Sequence, residues 1–295
     1  MQAASLNAKQ WYETAKWFDY QGFDIPYFDS GEADASNGEV LVLIHGFPTC
    51  SLDWAKIWQP LSKHYRLIAF DLLGFGRSSK PLIKYTISRQ ADMIESLLQK
   101  LGVGRFALVA HDYGDTVVQE LLSRTNVVEQ TWACVLSNGG LFPETHKPLL
   151  VQKLLLSPIG GLVAQLMSYE KFKRSMDSIC QVNIDEQEIQ EYWLLLTGNN
   201  GKKIFSRLIK YMTERKRHRT RWVSALQNYQ KPLLLINGLD DPISGEYMVE
   251  RFNKLVPNGL VEAKRGIGHY PQLEAPEWFS ESLQGFLENL SSKPS

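Results

Sequence analysis

Short apolar runs alternate along this chain with segments of helical periodicity. The runs Val40 to Ile44, Leu67 to Phe70, Phe106 to Ala110, Trp132 to Leu136 and Leu233 to Ile236 are apolar throughout rather than alternating. That is the pattern of strands buried on both faces of a parallel sheet. Between and after them helices are legible. Ile94, Leu97, Leu98 and Leu101 form an i, i+3, i+4, i+7 stripe ended by Gly102, and Phe279, Leu283, Phe286, Leu287 and Leu290 repeat it after Pro276. Ahead of the first parallel strand, Trp17 to Tyr20 and Phe23 to Phe28 flank Gln21-Gly22 and predict an antiparallel hairpin at a sheet edge. The fold class expected is α/β, a mostly parallel sheet flanked by helices.

This rhythm breaks between about Gly140 and Gln227, where the pattern reads as helices without strands. We expect an inserted helical cap over residues 141–227, with 1–140 and 228–295 forming the core. The insert opens on an apolar stretch, Leu149 to Met167, interrupted by Ser157-Pro158 and Gly160-Gly161, as a lid over an apolar pocket requires. A cationic segment follows, with Lys202, Lys203, Arg207, Lys210, Arg215, Lys216, Arg217, Arg219 and Arg221 against Glu214. Its simplest reading is a solvated face paired with Asp185, Glu186, Glu188 and Glu191; the sharper one is an anion-attracting rim or a docking face for an acidic partner.

Composition narrows the function. The 295 residues carry 32 Lys plus Arg and 32 Asp plus Glu, so the molecule as a whole offers no pull toward nucleic acid or anionic membrane. Cys50, Cys134 and Cys180 are odd in number and fit no zinc spacing, which suits a reducing compartment. Met1 to Lys16 lacks a basic start followed by an apolar core, and no stretch reaches the ~18 apolar residues of a membrane span, so a cytoplasmic protein is expected. No metal, nucleotide or flavin motif is present, and the oligomeric state, monomer or dimer, is left open.

The chemistry is carried by one strand end. The run Phe106 to Ala110 stops at His111-Asp112-Tyr113-Gly114-Asp115, where a carboxylate stands between small residues two positions to either side. A tight strand-to-helix turn that lifts one side chain above a sheet needs that spacing. A raised carboxylate attacks an sp3 carbon bearing a leaving group and forms an ester that water later cleaves. Two loops add partners for Asp112. Ile44-His45-Gly46-Phe47-Pro48 offers the Phe47 N–H, which with that of Tyr113 can form an oxyanion hole. Asn237-Gly238-Leu239-Asp240-Asp241-Pro242 and Gly266-Ile267-Gly268-His269-Tyr270-Pro271 supply an acid and a base in the chain order of this architecture. His111, His64, His146 and His218 are read as surface or satisfied core histidines, and Asp115 as a carboxylate favoured near a helix N-terminus.

On these motifs, with Asp71-Leu72-Leu73-Gly74-Phe75-Gly76-Arg77-Ser78, the chain resembles the α/β-hydrolases of the epoxide hydrolase and haloalkane dehalogenase group, from the hairpin to the last helix. His111 to Asp115, Leu136 to His146 and Arg221-Trp222-Val223 resemble the mesoderm-specific transcript protein-like hydrolases within it. The resemblance implies Asp112 as nucleophile, His269 as water-activating base and Asp241, three residues after Gly238 and before Pro242, as its orienting acid. Some relatives carry that acid after the preceding strand, where this chain has Ser137-Asn138. No cofactor is implied; the partners are a small apolar electrophile and water.

The leaving group separates the substrates. Many dehalogenating relatives place a tryptophan after the nucleophile and a polar residue where Phe47 stands, so Tyr113 and Phe47 make a poor halide clamp. An epoxide oxygen needs a proton donor, a role that cap tyrosines serve in epoxide hydrolases; Tyr169, Tyr192 and Tyr211 are the tyrosines available. Epoxide hydrolysis is expected first, carbon–halogen hydrolysis second, ester or lactone hydrolysis third. A hydrolase-fold scaffold acting through its basic cap is the contrasting reading.

Overall fold

The computed structural model describes residues 6–31 and 39–291. Residues 1–5, 32–38 and 292–295 of the expected core segments lie outside the described residues. Eight strands form one sheet: β1 (Lys16–Tyr20), β2 (Phe23–Asp29), β3 (Val40–Ile44), β4 (Arg66–Phe70), β5 (Phe106–Ala110), β6 (Thr131–Ser137), β7 (Leu233–Gly238) and β8 (Leu260–Lys264). Their order is β1-β2-β4-β3-β5-β6-β7-β8. The β1–β2 and β2–β4 pairs are antiparallel and the other ladders parallel.

Every residue of β3, β5, β6 and β7 is buried, as their continuous apolar sequences require. The hairpin forms around Gln21 and Gly22, both at positive φ. The two predicted helices span Ile87–Lys100 and Pro276–Ser291. Thr86 caps the first by accepting from Arg89 N–H, and Gly102 follows its end at φ +67°. The sequence pattern missed β8. It is an edge strand whose residues are exposed or half-buried, so Leu-Val-Glu-Ala-Lys carries no apolar signal.

Between β6 and β7 the chain runs through seven α-helices, from Leu150–Leu156 to Arg219–Asn228. No helix among the described residues is long and apolar enough to cross a membrane. The expected pairing of the basic segment with Asp185, Glu186, Glu188 and Glu191 is not what the chain does. Glu188 pairs with Lys56, Glu191 accepts the Ala8 N–H, and Asp185 caps its own helix. The cations are spent elsewhere: Arg219 pairs with Glu144, Arg221 with Glu120, and Arg207 binds the Leu82 and Ile83 carbonyls. The Arg221 and Arg207 bonds tie the helical insert to the core, whereas Arg219 and Glu144 pair within residues 141–227. Arg215 leaves the solvated face altogether and is buried.

Candidate active site

The β5 strand ends at an elbow. Asp112 has φ 46° and ψ −100°, a conformation unfavourable for a residue with a Cβ, and it stands directly before the Tyr113–Leu121 helix. Neighbouring strands hold the turn: His111 N–H donates to Ile44 O and Asp112 N–H to Ser137 O, each at 3.0 Å. Gly114 is required by close approach, because a Cβ there would run into the Ile44 carbonyl at the end of β3. The elbow thus lifts the Asp112 carboxylate at a helix N-terminus, where the helix dipole favours negative charge.

Phe47 N–H donates to Asp112 Oδ2 at 3.0 Å. His45 sets that loop: its Nδ1–H donates to Gly46 O at 2.8 Å, and its Nε2 accepts the Leu72 N–H at 3.0 Å. Those bonds fix one tautomer, and burial lowers the ring's pKa to about 4, so it is neutral. Tyr113, the other expected donor, is the first residue of the helix after Asp112.

His269 and Asp241 come together, with Nδ1 2.8 Å from Oδ2. Asp240 points instead to Arg265 and Gly266 N–H at the surface. The Asp241 carboxylate also accepts from Asn138 Nδ2 at 2.9 Å, Ser244 Oγ at 2.7 Å and Ile243 N–H at 2.7 Å. Burial alone would raise its pKa, but the His269 charge and these donors hold it below the ordinary carboxylate value. For His269 burial works downward, and Asp241 and then Asp112 overcome it, carrying the ring up to about 9. His111 supports the same loop, donating from Nε2 to His269 O at 2.7 Å. Its burial lowers its pKa to about 4, which makes it a neutral core histidine, as expected.

The three tyrosines separate in space. Tyr211 is buried near Asp112, its ring 4.7 Å from Tyr113 and 5.9 Å from Phe47, with no hydrogen-bond partner on its hydroxyl. Burial and the Asp112 charge both raise its pKa. Tyr192 is buried beside Asp53, whose pKa burial raises to about 8. Tyr169 sits at the surface with its hydroxyl 3.4 Å from Glu186 O. Asp115 lies in the first turn of the helix after Asp112, as expected; it is also fully buried, accepts the Ser137 N–H, and is raised well above the ordinary carboxylate range, chiefly by desolvation.

Arg215 was concealed in the basic run. Its Nε donates to Thr116 Oγ1 at 2.7 Å, its Nη2 to Asp112 O at 3.2 Å, and Nη2 lies 3.6 Å from Asp112 Oδ1. Gly140 makes room for it, since any Cβ there would collide with Arg215 Nη1. Beside His269 is an apolar cavity of about 60 Å³, walled in part by Phe47, Leu149, Leu155, Phe172 and Phe205. The apolar stretch expected to form a lid supplies Leu149, Val151, Leu155 and Met167 to it. Among the described residues no group of His, Cys, Asp and Glu is arranged to hold a metal ion.

The model of the alpha/beta hydrolase fold matches residues 39–156. Mouse mesoderm-specific transcript protein is 41% identical over 95% of this chain and 87% of its own length. Among solved structures, haloalkane dehalogenase DbeA from Bradyrhizobium elkani superposes with a TM-score of 0.80 at 22% identity, over 94% of this chain and 98% of the other. Epoxide hydrolase CorEH gives 0.78 at 17% identity, over 94% and 99%. The two structural likenesses establish the fold, and the identity across nearly the whole chain establishes kinship: this chain belongs to the α/β-hydrolase family, among the relatives of the mesoderm-specific transcript proteins.

Proposed function

We propose that this protein hydrolyses an epoxide through a covalent ester on Asp112. The observation that carries the reading is the carboxylate on a strained elbow, its Oδ2 fixed by Phe47 N–H at 3.0 Å, in a chain whose His269–Asp241 pair closes at 2.8 Å. With Oδ2 held, Oδ1 is the attacking atom. It forms a C–O bond to one epoxide carbon as the ring C–O bond breaks, and Tyr211 O–H gives its proton to the leaving oxygen. The ester has lost the Asp112 charge, which was one of those that hold His269 protonated. His269 therefore releases its proton, which restores Tyr211 through solvent, and becomes a neutral base. Water then gives a proton to His269 and attacks the ester carbonyl, with the Phe47 and Tyr113 N–H groups receiving the oxyanion. Collapse frees the diol, which takes the proton back from His269, and the carboxylic acid left on Asp112 then gives its proton to His269 to restore the resting state.

Residues 141–227 act in this reading as a cap over the core of 1–140 and 228–295. The cavity of about 60 Å³ is apolar and small, so it fits a compact apolar electrophile unless the cap helices separate. Carbon–halogen hydrolysis is the second reading: a halide leaves without a proton, and no hydrogen bond holds the Tyr211 hydroxyl in place as a donor. The test is product formation from paired epoxides and haloalkanes by the wild type and Asp112→Asn. Diol formation lost in the variant supports the proposal; turnover undiminished in Asp112→Asn of verified mass overturns it.

A further inference from the structure

A second cavity, of about 250 Å³, lies across the Leu150–Leu156 helix from His269. Val151, Gln152 and Leu155 face the apolar cavity, whereas Lys153 and Leu156 face this one. The helix is a partition, so an occupant of the second cavity is distinct from whatever lies beside His269. Pro143, Pro148, Leu156 and Met212 give it apolar walls; His146, Lys153, Arg215 and Lys216 give it polar ones, and no acidic residue lines it.

The polar side is unsatisfied. Arg215 is almost wholly buried, yet its Nη1 has no partner, and neither ring nitrogen of His146 has one. Buried donors without acceptors are costly and rare in folded proteins. Both residues line this cavity and pack side by side against Gly140, where a Cβ would strike Arg215 Nη1 and come within 2.9 Å of His146 Nδ1. An unpartnered guanidinium nitrogen and an imidazole side by side in one cavity wall suit a carboxylate, whose oxygens accept from both. The apolar walls suit a hydrocarbon chain and disfavour inorganic phosphate. The segment Leu136 to His146 thereby gains a purpose outside the catalytic loops: Gly140 admits the guanidinium and His146 closes the pocket around it.

We propose that this cavity binds a short-chain organic carboxylate, its oxygens on Arg215 Nη1 and His146 and its chain against Pro143, Pro148, Leu156 and Met212. The other amino group of Arg215 is the one beside Asp112, so the ligand and the nucleophile share one cation and are coupled through it.

Calorimetric titration of the full chain with butyrate tests this without any turnover, and so stands apart from the epoxide reading. Acetate and phosphate form parallel arms, with chloride holding ionic strength constant. Saturable butyrate binding, tighter than acetate or phosphate, is expected. It should weaken about tenfold in His146→Phe, which removes a bond to the carboxylate, and by less in the Lys153→Met/Lys216→Met double variant, which removes only surrounding positive charge, in proteins shown folded by their melting curves. Butyrate heats equal to chloride dilution, or one affinity shared by all three proteins, would overturn the proposal. Phosphate binding as tightly as butyrate would overturn the carboxylate assignment.

Discussion

Asn138 Nδ2 lies 2.9 Å from Asp241 Oδ2, the same oxygen that meets His269 Nδ1 at 2.8 Å. Asn138 stands where some relatives carry the acid itself, and here it donates to the Asp241 carboxylate instead. Its amide also donates to Gly238 O and Gly268 O, and its Oδ1 accepts the Gly238 N–H, which links β6, β7 and the His269 loop at one buried point. It adopts φ 44°, which asparagine tolerates better than most residues. Asn138→Ala should lower stability by roughly 2–4 kcal/mol through orphaned buried groups and the left-handed backbone. The shift of the urea midpoint measures it, and a shift near zero would contradict the network.

The His269 ring should titrate near pH 9 in the free protein, because Asp241 and Asp112 outweigh its burial. A raised folded pKa means that the ion pair contributes its full stability below the unfolded value of about 6.5 and loses it as pH rises through about 9. The difference corresponds to roughly 3 kcal/mol. Removing the Asp112 charge by Asp112→Asn should lower the ring's pKa. Imidazole proton signals followed across pH in both proteins check this; an unchanged midpoint would show that Asp112 does not act on His269.

Gly140→Ala tests Arg215 without altering any reacting group. The new methyl takes the place of Arg215 Nη1, so the guanidinium must move and its contacts to Asp112 loosen. Overpacking of this kind costs about 1–3 kcal/mol. We expect that loss of stability together with slower formation of the covalent ester, read by stopped-flow on a chromogenic epoxide. Wild-type rates would separate Arg215 from the chemistry.

Tyr211→Phe removes the hydroxyl proposed to protonate the leaving oxygen. Loss of a positioned general acid should slow epoxide opening by about 10²–10⁴-fold. A haloalkane, whose leaving group needs no proton, should react at an unchanged rate in the same variant. Tyr169→Phe and Tyr192→Phe should retain epoxide opening, since those hydroxyls lie by Glu186 and Asp53. Rates on epoxide and haloalkane for the three variants decide the assignment.

The parts of the site that were legible in the sequence are those in which a short contiguous stretch does one job. The elbow shows itself because a buried strand, a raised residue and Gly114 must be adjacent, and the hairpin because Gln21-Gly22 sits between apolar runs. Arg215 was not legible: a buried cation and its solvated neighbours Lys216 and Arg217 read alike until a partner 103 positions away in the chain comes into contact. The tyrosines were ambiguous for the same reason, since burial beside Asp112 or beside Asp53 leaves no local trace. Strand β8 was missed because an exposed edge needs no apolar sequence.

The central claim is covalent catalysis by Asp112, and the most direct measurement is the intact mass of His269→Ala after incubation with a panel of epoxides and haloalkanes. Without its base the second half-reaction stalls, so an ester should accumulate and peptide mapping should place it on Asp112. An added mass equal to the whole epoxide is the predicted result, and one equal to a haloalkane less hydrogen halide would select the dehalogenase reading. Folded His269→Ala protein with no adduct across the panel, or an adduct on any residue other than Asp112, would contradict the account.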